Sequence, residues 1–193
     1  MTSDNRDAIL KLIKATMLIV VGSVVLLFGV TAAVFYSPQI KINIESFDAF
    51  VSLILLFIGA IIELTGASDL YLGFGKIDGV SRIYDLGRYG ALAQITASLL
   101  LTVGFYFIVF SSNAAAHLLG SGFAFTGYVI GIACAVPVGI AFYSLGKKYQ
   151  SGIIKSGAVA YILIPIVGPF ILYLGLNGLM HALDSRRSYR TLH

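Results

Sequence analysis

FAFTGYVIGIACAVPVGIAFYSLG, residues 123–146, runs for 24 residues without a charged side chain. A helix of that length, rising about 1.5 Å per residue, outspans the roughly 30 Å hydrocarbon layer of a bilayer. Similar stretches lie near 16–36, 49–66, 90–110 and 157–179; the second of them carries no charge from Ala49 to Ile62 and then meets Glu63. Hydrophobic residues make up 58% of the chain and charged residues 11%, with a mean hydropathy of +0.92. Those values lie outside the range of a water-soluble domain. The expected fold is therefore all-α: a polytopic transmembrane bundle of about five spans. It takes up residues 1–193 as a single integral membrane domain, because five spans and short links consume most of the chain.

The ends of the chain follow from the same reading. Asp4 is a suitable cap for a helix leading through Lys11 and Lys14 into the first span. The apolar part of that span, about 20 residues, exceeds the 7–15 of a signal-peptide core, so the segment is expected to be retained. Basic residues gather at alternate links. Arg6, Lys11 and Lys14 precede the first span, Lys76, Arg82 and Arg88 separate the second from the third, and Lys147, Lys148 and Lys155 follow the fourth. Lys41 alone occupies the link after the first span, and the link after the third has none. The positive-inside bias then expects a protein of the cell membrane, multi-pass, with a cytoplasmic amino terminus. Arg186, Arg187 and Arg190 in the tail fit only if the last apolar stretch returns to its side of entry.

That stretch contains Ile164-Pro165-Ile166-Val167-Gly168-Pro169. Each proline removes a backbone donor and crowds the preceding turn. Pro165, Gly168 and Pro169 thus form a hinge, giving either one kinked span or a re-entrant turn. The kinked span is the preferred reading, because neither half is long enough to cross alone.

Two hairpins resemble each other. Gly90-Ala91-Leu92-Ala93-Gln94-Ile95 and Gly157-Ala158-Val159-Ala160-Tyr161-Ile162 each follow a basic residue by two positions, Arg88 and Lys155. Aligning Lys76 with Lys147 as parallel copies sets Glu63 level with Cys134, in the middle of a span. A carboxylate at that depth, with no Lys or Arg in any span to pair with, is expected to carry a proton or hold a cation. The alternative ends the second span near Leu64, leaving Glu63 at the interface and 65–76 as a loop or surface helix; Asp69 shares the ambiguity. Gln94, Ser98, Thr102 and Tyr106 recur every four residues along the third span, a polar stripe suited to hydrogen bonds between helices or to a hydrophilic path opposite Glu63. Gly127, Gly131, Ala135 and Gly139 recur likewise on the fourth span as a close-packing face, with Pro137 marking a bend.

Signals for chemistry are few. Gly73-Phe74-Gly75-Lys76 and Leu145-Gly146-Lys147-Lys148 lack the upstream glycine and the following Ser or Thr of a phosphate loop. No HExxH, nucleophile elbow or CxxC occurs, and the histidines, His117, His181 and His193, have no ligand-spaced neighbours. The expectation is no catalytic residue, no metal and no cofactor. The lone Cys134 allows no internal disulfide. The cations flank spans rather than form a groove-sized cluster, so the expected partner is the lipid bilayer, with a homo-oligomer or larger membrane complex and no nucleic acid.

The segment from Leu145-Gly146-Lys147-Lys148-Tyr149 through Gly157–Ile162 and Ile164–Pro169 to Tyr173-Leu174-Gly175-Leu176 resembles the end of small archaeal multi-pass membrane proteins grouped as a domain of unknown function. The resemblance covers about the last 60 residues. It implies an archaeal membrane source and assigns no activity or site residue. Two functions follow as expectations. The first is a non-enzymatic component that packs within a membrane assembly through the fourth-span glycines. The second is a small transporter or channel in which Glu63 binds a proton or cation beside Gln94, Ser98, Thr102 and Tyr106.

Overall fold

The computed structural model describes the backbone of residues 3–36, 47–77, 82–111, 113–164 and 166–190; side chains are described for 5–32, 50–77, 82–111, 113–164 and 166–185. Among the described residues every regular element is a helix: α1 (Ser3–Tyr36), α2 (Phe47–Gly75), α3 (Arg82–Phe110), α4 (Ala114–Lys148), α5 (Gly152–Leu163) and α6 (Val167–Arg190). The first four hold stretches long and apolar enough to cross a membrane. The protein is thus a membrane-embedded helical bundle. Each helix packs on the next, and α6 returns to α1, closing the ring.

Two antiparallel pairs frame the bundle, and glycines set their register. On α1, a Cβ at Gly22 would stand 2.8 Å from the Glu63 nitrogen, and one at Gly29 3.0 Å from the Leu56 nitrogen. On α2, Gly59, Gly66 and Gly73 lie against Leu26, Ile19 and Leu12. Seven residues make nearly two helical turns, so these positions stay on one face and let the backbones touch. The α3–α4 pair repeats the device: Gly90 meets Val138, Gly127 meets Leu101, and Gly104 and Gly120 meet each other.

Gly66 and Gly73 also decide how far α2 extends. Their contacts hold 65–75 against α1 as a continuation of the same helix, so the loop or surface-helix reading of this segment does not apply. Glu63 stands in the interior of α2. It lies six residues from Asp69, about 9 Å along the axis, and sixteen from Phe47, about 24 Å.

The final apolar stretch, 157–179, is not one kinked span. Glycine contacts pair Gly157 with Leu172, Gly168 with Tyr161 and Gly175 with Ile154, so α5 and α6 run antiparallel as a re-entrant hairpin. Ile164 leaves the helical region (φ −137°, ψ 87°), as the crowding of a following proline requires. Pro165 itself lies outside the described residues. Pro169 falls in the first turn of α6, where a missing N–H costs nothing. Gly168 lies directly against the Tyr161 backbone, where a side chain has no room. α4, by contrast, continues through Pro137 as unbroken helix.

The hairpin makes the two halves of the bundle unlike. Gly146 meets Lys155 and Gly139 meets Ile162, so the tip of the hairpin reaches the level of Pro137 on α4 and goes no further. The main core lies mostly on the hairpin's side of that level, with Leu12, Leu70, Phe74, Val138, Phe142, Leu145, Leu172 and Leu176 nearly or fully buried. The same half holds the amino end of α1 and the carboxyl end of α6, tied by Arg6 to Asp184 at 3.4 Å. It also carries Lys11, Lys14, Arg88, Lys147, Lys148 and Lys155, and is called the basic half below.

Gly59→Ala drives a methyl group into the Leu26 backbone nitrogen, 2.8 Å away. It is expected to lower stability by about 1–3 kcal/mol, the usual cost of overpacking. Gly122→Ala, whose Cβ meets nothing within 4 Å, is expected to be neutral or stabilising. Thermal unfolding of the purified variants in one detergent compares them.

Candidate functional site

Glu63 is held from two other helices. Ser23 of α1 donates its hydroxyl to Oε1 at 3.0 Å, and Ser98 of α3 donates to Oε2 at 3.0 Å. Gly22 brings α1 close enough for the first bond, since it rests on the Glu63 backbone. Gly127, packed on Ala97 and Leu101, holds α3 in place for the second. Among the described residues no ion pair reaches Glu63. Asp69 differs: Lys14 stands 2.9 Å and Lys11 3.9 Å from its carboxylate oxygens. That ion cluster, the last charged layer before Glu63, resembles an interfacial belt. Arg88 extends it, donating to the Tyr71 hydroxyl at 2.8 Å with its guanidinium 4.6 Å from the centre of that ring.

Beside Glu63 lies a partly enclosed cavity of about 180 Å³. α1 contributes Ser23, α3 Gln94 and Ser98, α4 Tyr128 and Cys134, and α5 Tyr161. Tyr161, almost wholly buried, donates to Gln94 Oε1 at 2.9 Å across the tip of the hairpin. The remaining lining is aliphatic, including Ile19, Leu101 and Ile132. A space of this size takes several waters or one small ion with part of its shell. Among the described residues no three His, Cys, Asp or Glu side chains converge as metal ligands would.

The polar stripe divides. Gln94 and Ser98 face the cavity. Thr102 turns its hydroxyl back to the Ser98 carbonyl at 2.8 Å, and Tyr106 stands exposed, its ring 5.4 Å from that of Phe110. The fourth-span glycines divide as well. Gly127 meets α3, Gly139 meets Ile162 and Ala158 of α5, Ala135 is buried, and Gly131 borders the cavity with only the Ala97 methyl, 3.9 Å from its Cβ position. Steps of four drift about 40° each around a helix, so over twelve residues the positions turn to different neighbours. Ser23 has no counterpart among the sequence expectations. The seven-residue spacing of Gly22 and Gly29, matched to Gly59, Gly66 and Gly73, is the signal that sets it opposite Glu63. Cys134, which the suspected repeat makes level with Glu63, lines the same cavity; α5 ends at Leu163, whereas α3 continues to Phe110.

The sequence profile of a protein family of unknown function, DUF973, matches residues 3–192. The chain belongs to that family, and the match extends the resemblance from the last 60 residues to nearly the whole chain. No curated protein and no solved structure matches it.

Ser98→Ala leaves one oxygen of Glu63 without its donor and is expected to cost about 1–3 kcal/mol. With Glu63→Leu already present, the same change is expected to cost clearly less, because no carboxyl remains to be satisfied. Denaturation of the two single variants and the double variant in detergent gives this coupling.

Proposed function

We propose that this protein is a non-enzymatic transporter or channel that moves a proton or small cation by way of Glu63. The reading rests on one observation: a carboxyl group in the interior of a crossing helix, bonded among the described residues by two serine hydroxyls and open to a cavity. An unpaired acid at such depth is costly and is ordinarily retained for ion or proton passage. The Asp69 cluster supports the same reading by contrast, because there the chain does supply lysines to a carboxylate. Two hydroxyl donors leave room for a proton or a cation to come and go, whereas a lysine partner would hold the charge fixed.

Packing within a larger membrane assembly is the less favoured function. The glycines that suggested it, Gly127 and Gly139, are occupied by α3 and α5 of the same chain. Residence in the cell membrane with a cytoplasmic amino terminus belongs to the same proposal. The re-entrant hairpin brings the carboxyl end of α6 to the basic half, so all the cations except Lys41, which lies outside the described residues, share one end. That end faces the cytoplasm by the positive-inside bias. The archaeal source implied by the C-terminal resemblance is part of this reading.

The test is ion flux in sealed vesicles reconstituted with purified protein, under imposed proton, sodium and potassium gradients. The wild type is expected to conduct under at least one gradient. Glu63→Gln, which keeps the size and can bond both serines if one of them turns to accept from the amide, but removes the titrating charge, is expected to fall to the level of protein-free vesicles. Absence of flux under every gradient, or equal flux in the variant, removes the reading.

A further inference from the structure

Among the described residues the ring of helices is complete only in the basic half. α5 and α6 stand between α4 and α1 as far as the tip of the hairpin, at the level of Pro137 on α4. On α6, Val167 lies seventeen residues from Asp184, and Asp184 meets Arg6 on α1. Seventeen residues along α1 from Arg6 is Ser23, so α6 begins near the level of Ser23 and Glu63. Beyond it, the first twenty or so residues of α4 and the last turns of α1 have no hairpin between them. Tyr128 and Ile132, which border the cavity from α4, are 60% and 49% exposed on that side. Toward the basic half the cavity ends on the bonded pair Tyr161 and Gln94, with Phe142, Val138, Leu172 and Leu176 packed behind it at 0% exposure.

The tip itself calls for water. The last carbonyls of α5 and the first N–H groups of α6 meet there, and helix ends lack intrahelical partners. Three bonds close the turn: Ile164 N–H to the Ala160 carbonyl, and the Val167 and Gly168 N–H groups to the Ile164 carbonyl. The α5 carbonyls that follow Ala160 point along the axis into the opposite half. At membrane depth such irregular backbone is tolerated only where it is buried in protein or lines a hydrated space. Serine, glutamate, glutamine and tyrosine side chains border the same place.

We propose that Glu63 exchanges its ion with the side opposite the basic half, through a hydrated cleft between α1 and α4 above the tip of the α5–α6 hairpin. The hairpin seals the other direction. This rests on Glu63 being the ion site and adds the side of entry. The sealing unit is itself a locked pair, α5 held to α6 by Gly157, Gly168 and Gly175 as glycines hold α1 to α2 and α3 to α4. The hairpin joins α4 through Gly139 and Gly146, sets Leu172 and Leu176 in the main core with Leu12 of α1, and meets Arg6 through Asp184. Passage to the basic half therefore requires the hairpin to move as one body.

Single cysteines test the side of entry. On a Cys134→Ala background, Tyr128→Cys and Leu101→Cys sit in the cavity wall, Val138→Cys lies below the tip, and Ser185→Cys marks the basic end. Each variant is reconstituted into sealed vesicles and treated with a small membrane-impermeant thiosulfonate from one side, then the other. Tyr128→Cys and Leu101→Cys are expected to react only from the side that leaves Ser185→Cys unlabelled, and Val138→Cys from neither. Reaction from the Ser185→Cys side, or reaction only with a membrane-permeant maleimide, overturns the proposal. Two wall positions guard against the misfolding of either variant. The readout does not use flux, so a wrong side of entry and a silent transporter are told apart.

Discussion

Contact between helix backbones at glycines seven residues apart is the interaction on which this structure depends. Inside a bilayer the surrounding chains are as apolar as leucine, so helices gain nothing by hiding apolar side chains from them. What remains is close fit. Gly22 and Gly29 on α1 face Gly59, Gly66 and Gly73 on α2, while Gly90 and Gly104 on α3 work with Gly120 and Gly127 on α4. A heptad step drifts only about 20° around a straight helix, which gentle left-handed coiling removes. The register fixed in this way carries the site with it. Ser23 reaches Glu63 because Gly22, one residue away, lies against the Glu63 backbone. Ser98 reaches it because Ala97, the preceding residue, fits against Gly127.

The second constraint is that peptide groups in hydrocarbon must find partners within the protein. Four long helices meet it by crossing uninterrupted, and α4 does so even through Pro137. The α5–α6 hairpin cannot, because it ends within the bundle. Its ends are tolerable only beside polar side chains or water, and the bundle supplies the first by setting Gln94, Ser98, Ser23 and Glu63 at the level of the turn. The broken helix and the buried acid are thus one arrangement. A hairpin tip surrounded by aliphatic residues would leave carbonyls without partners, and a Glu63 without a cavity would have no route by which its charge state could change.

Four crossing helices are legible from the sequence because uncharged runs of adequate length admit no other reading in a chain this apolar. Glu63 is legible as an anomaly for the same reason. The extent of α2 is less so. Glu63 and Asp69 interrupt the hydropathy of 63–75, and summed transfer energies do not register that Lys14 of another helix stands 2.9 Å from Asp69. The hairpin turns on a comparison that composition does not contain. Pro137 and Pro165 have similar apolar surroundings, yet the first is spanned by helix and the second follows a non-helical Ile164. Gly168 distinguishes them, since its missing side chain lets the chain fold back onto Tyr161. The four-residue stripes were read as faces, but a face at that spacing rotates along the helix. Gln94 and Ser98 are close enough in sequence to share the cavity, whereas Tyr106, two steps further, has turned outward.

The polarity of the bundle then follows from where the chain spends its bulk. Phe74, Phe142, Leu145 and Leu172 are placed where six helices surround them, so the basic half holds both the main packing and most of the cations that flank the helices. Among the described residues the opposite half keeps four helices in two pairs, without the hairpin between them. Exposed Leu118 and Phe125 on α4 and Leu27 and Phe28 on α1 suit contact with lipid at its outer surface. On the proposed reading, an ion site at the junction of a filled half and a less filled half needs only one element to move for its access to change sides. The hairpin is the shortest of the three helical pairs and, among the described residues, the one whose helices end at the site. Its link to α4 is a hydrogen-bonded cap: with Gln150 at φ 54°, its N–H donates to the Lys147 carbonyl at 3.2 Å and the Ser151 N–H to the Gly146 carbonyl at 2.9 Å, so the hairpin departs from a turn that satisfies the last carbonyls of α4.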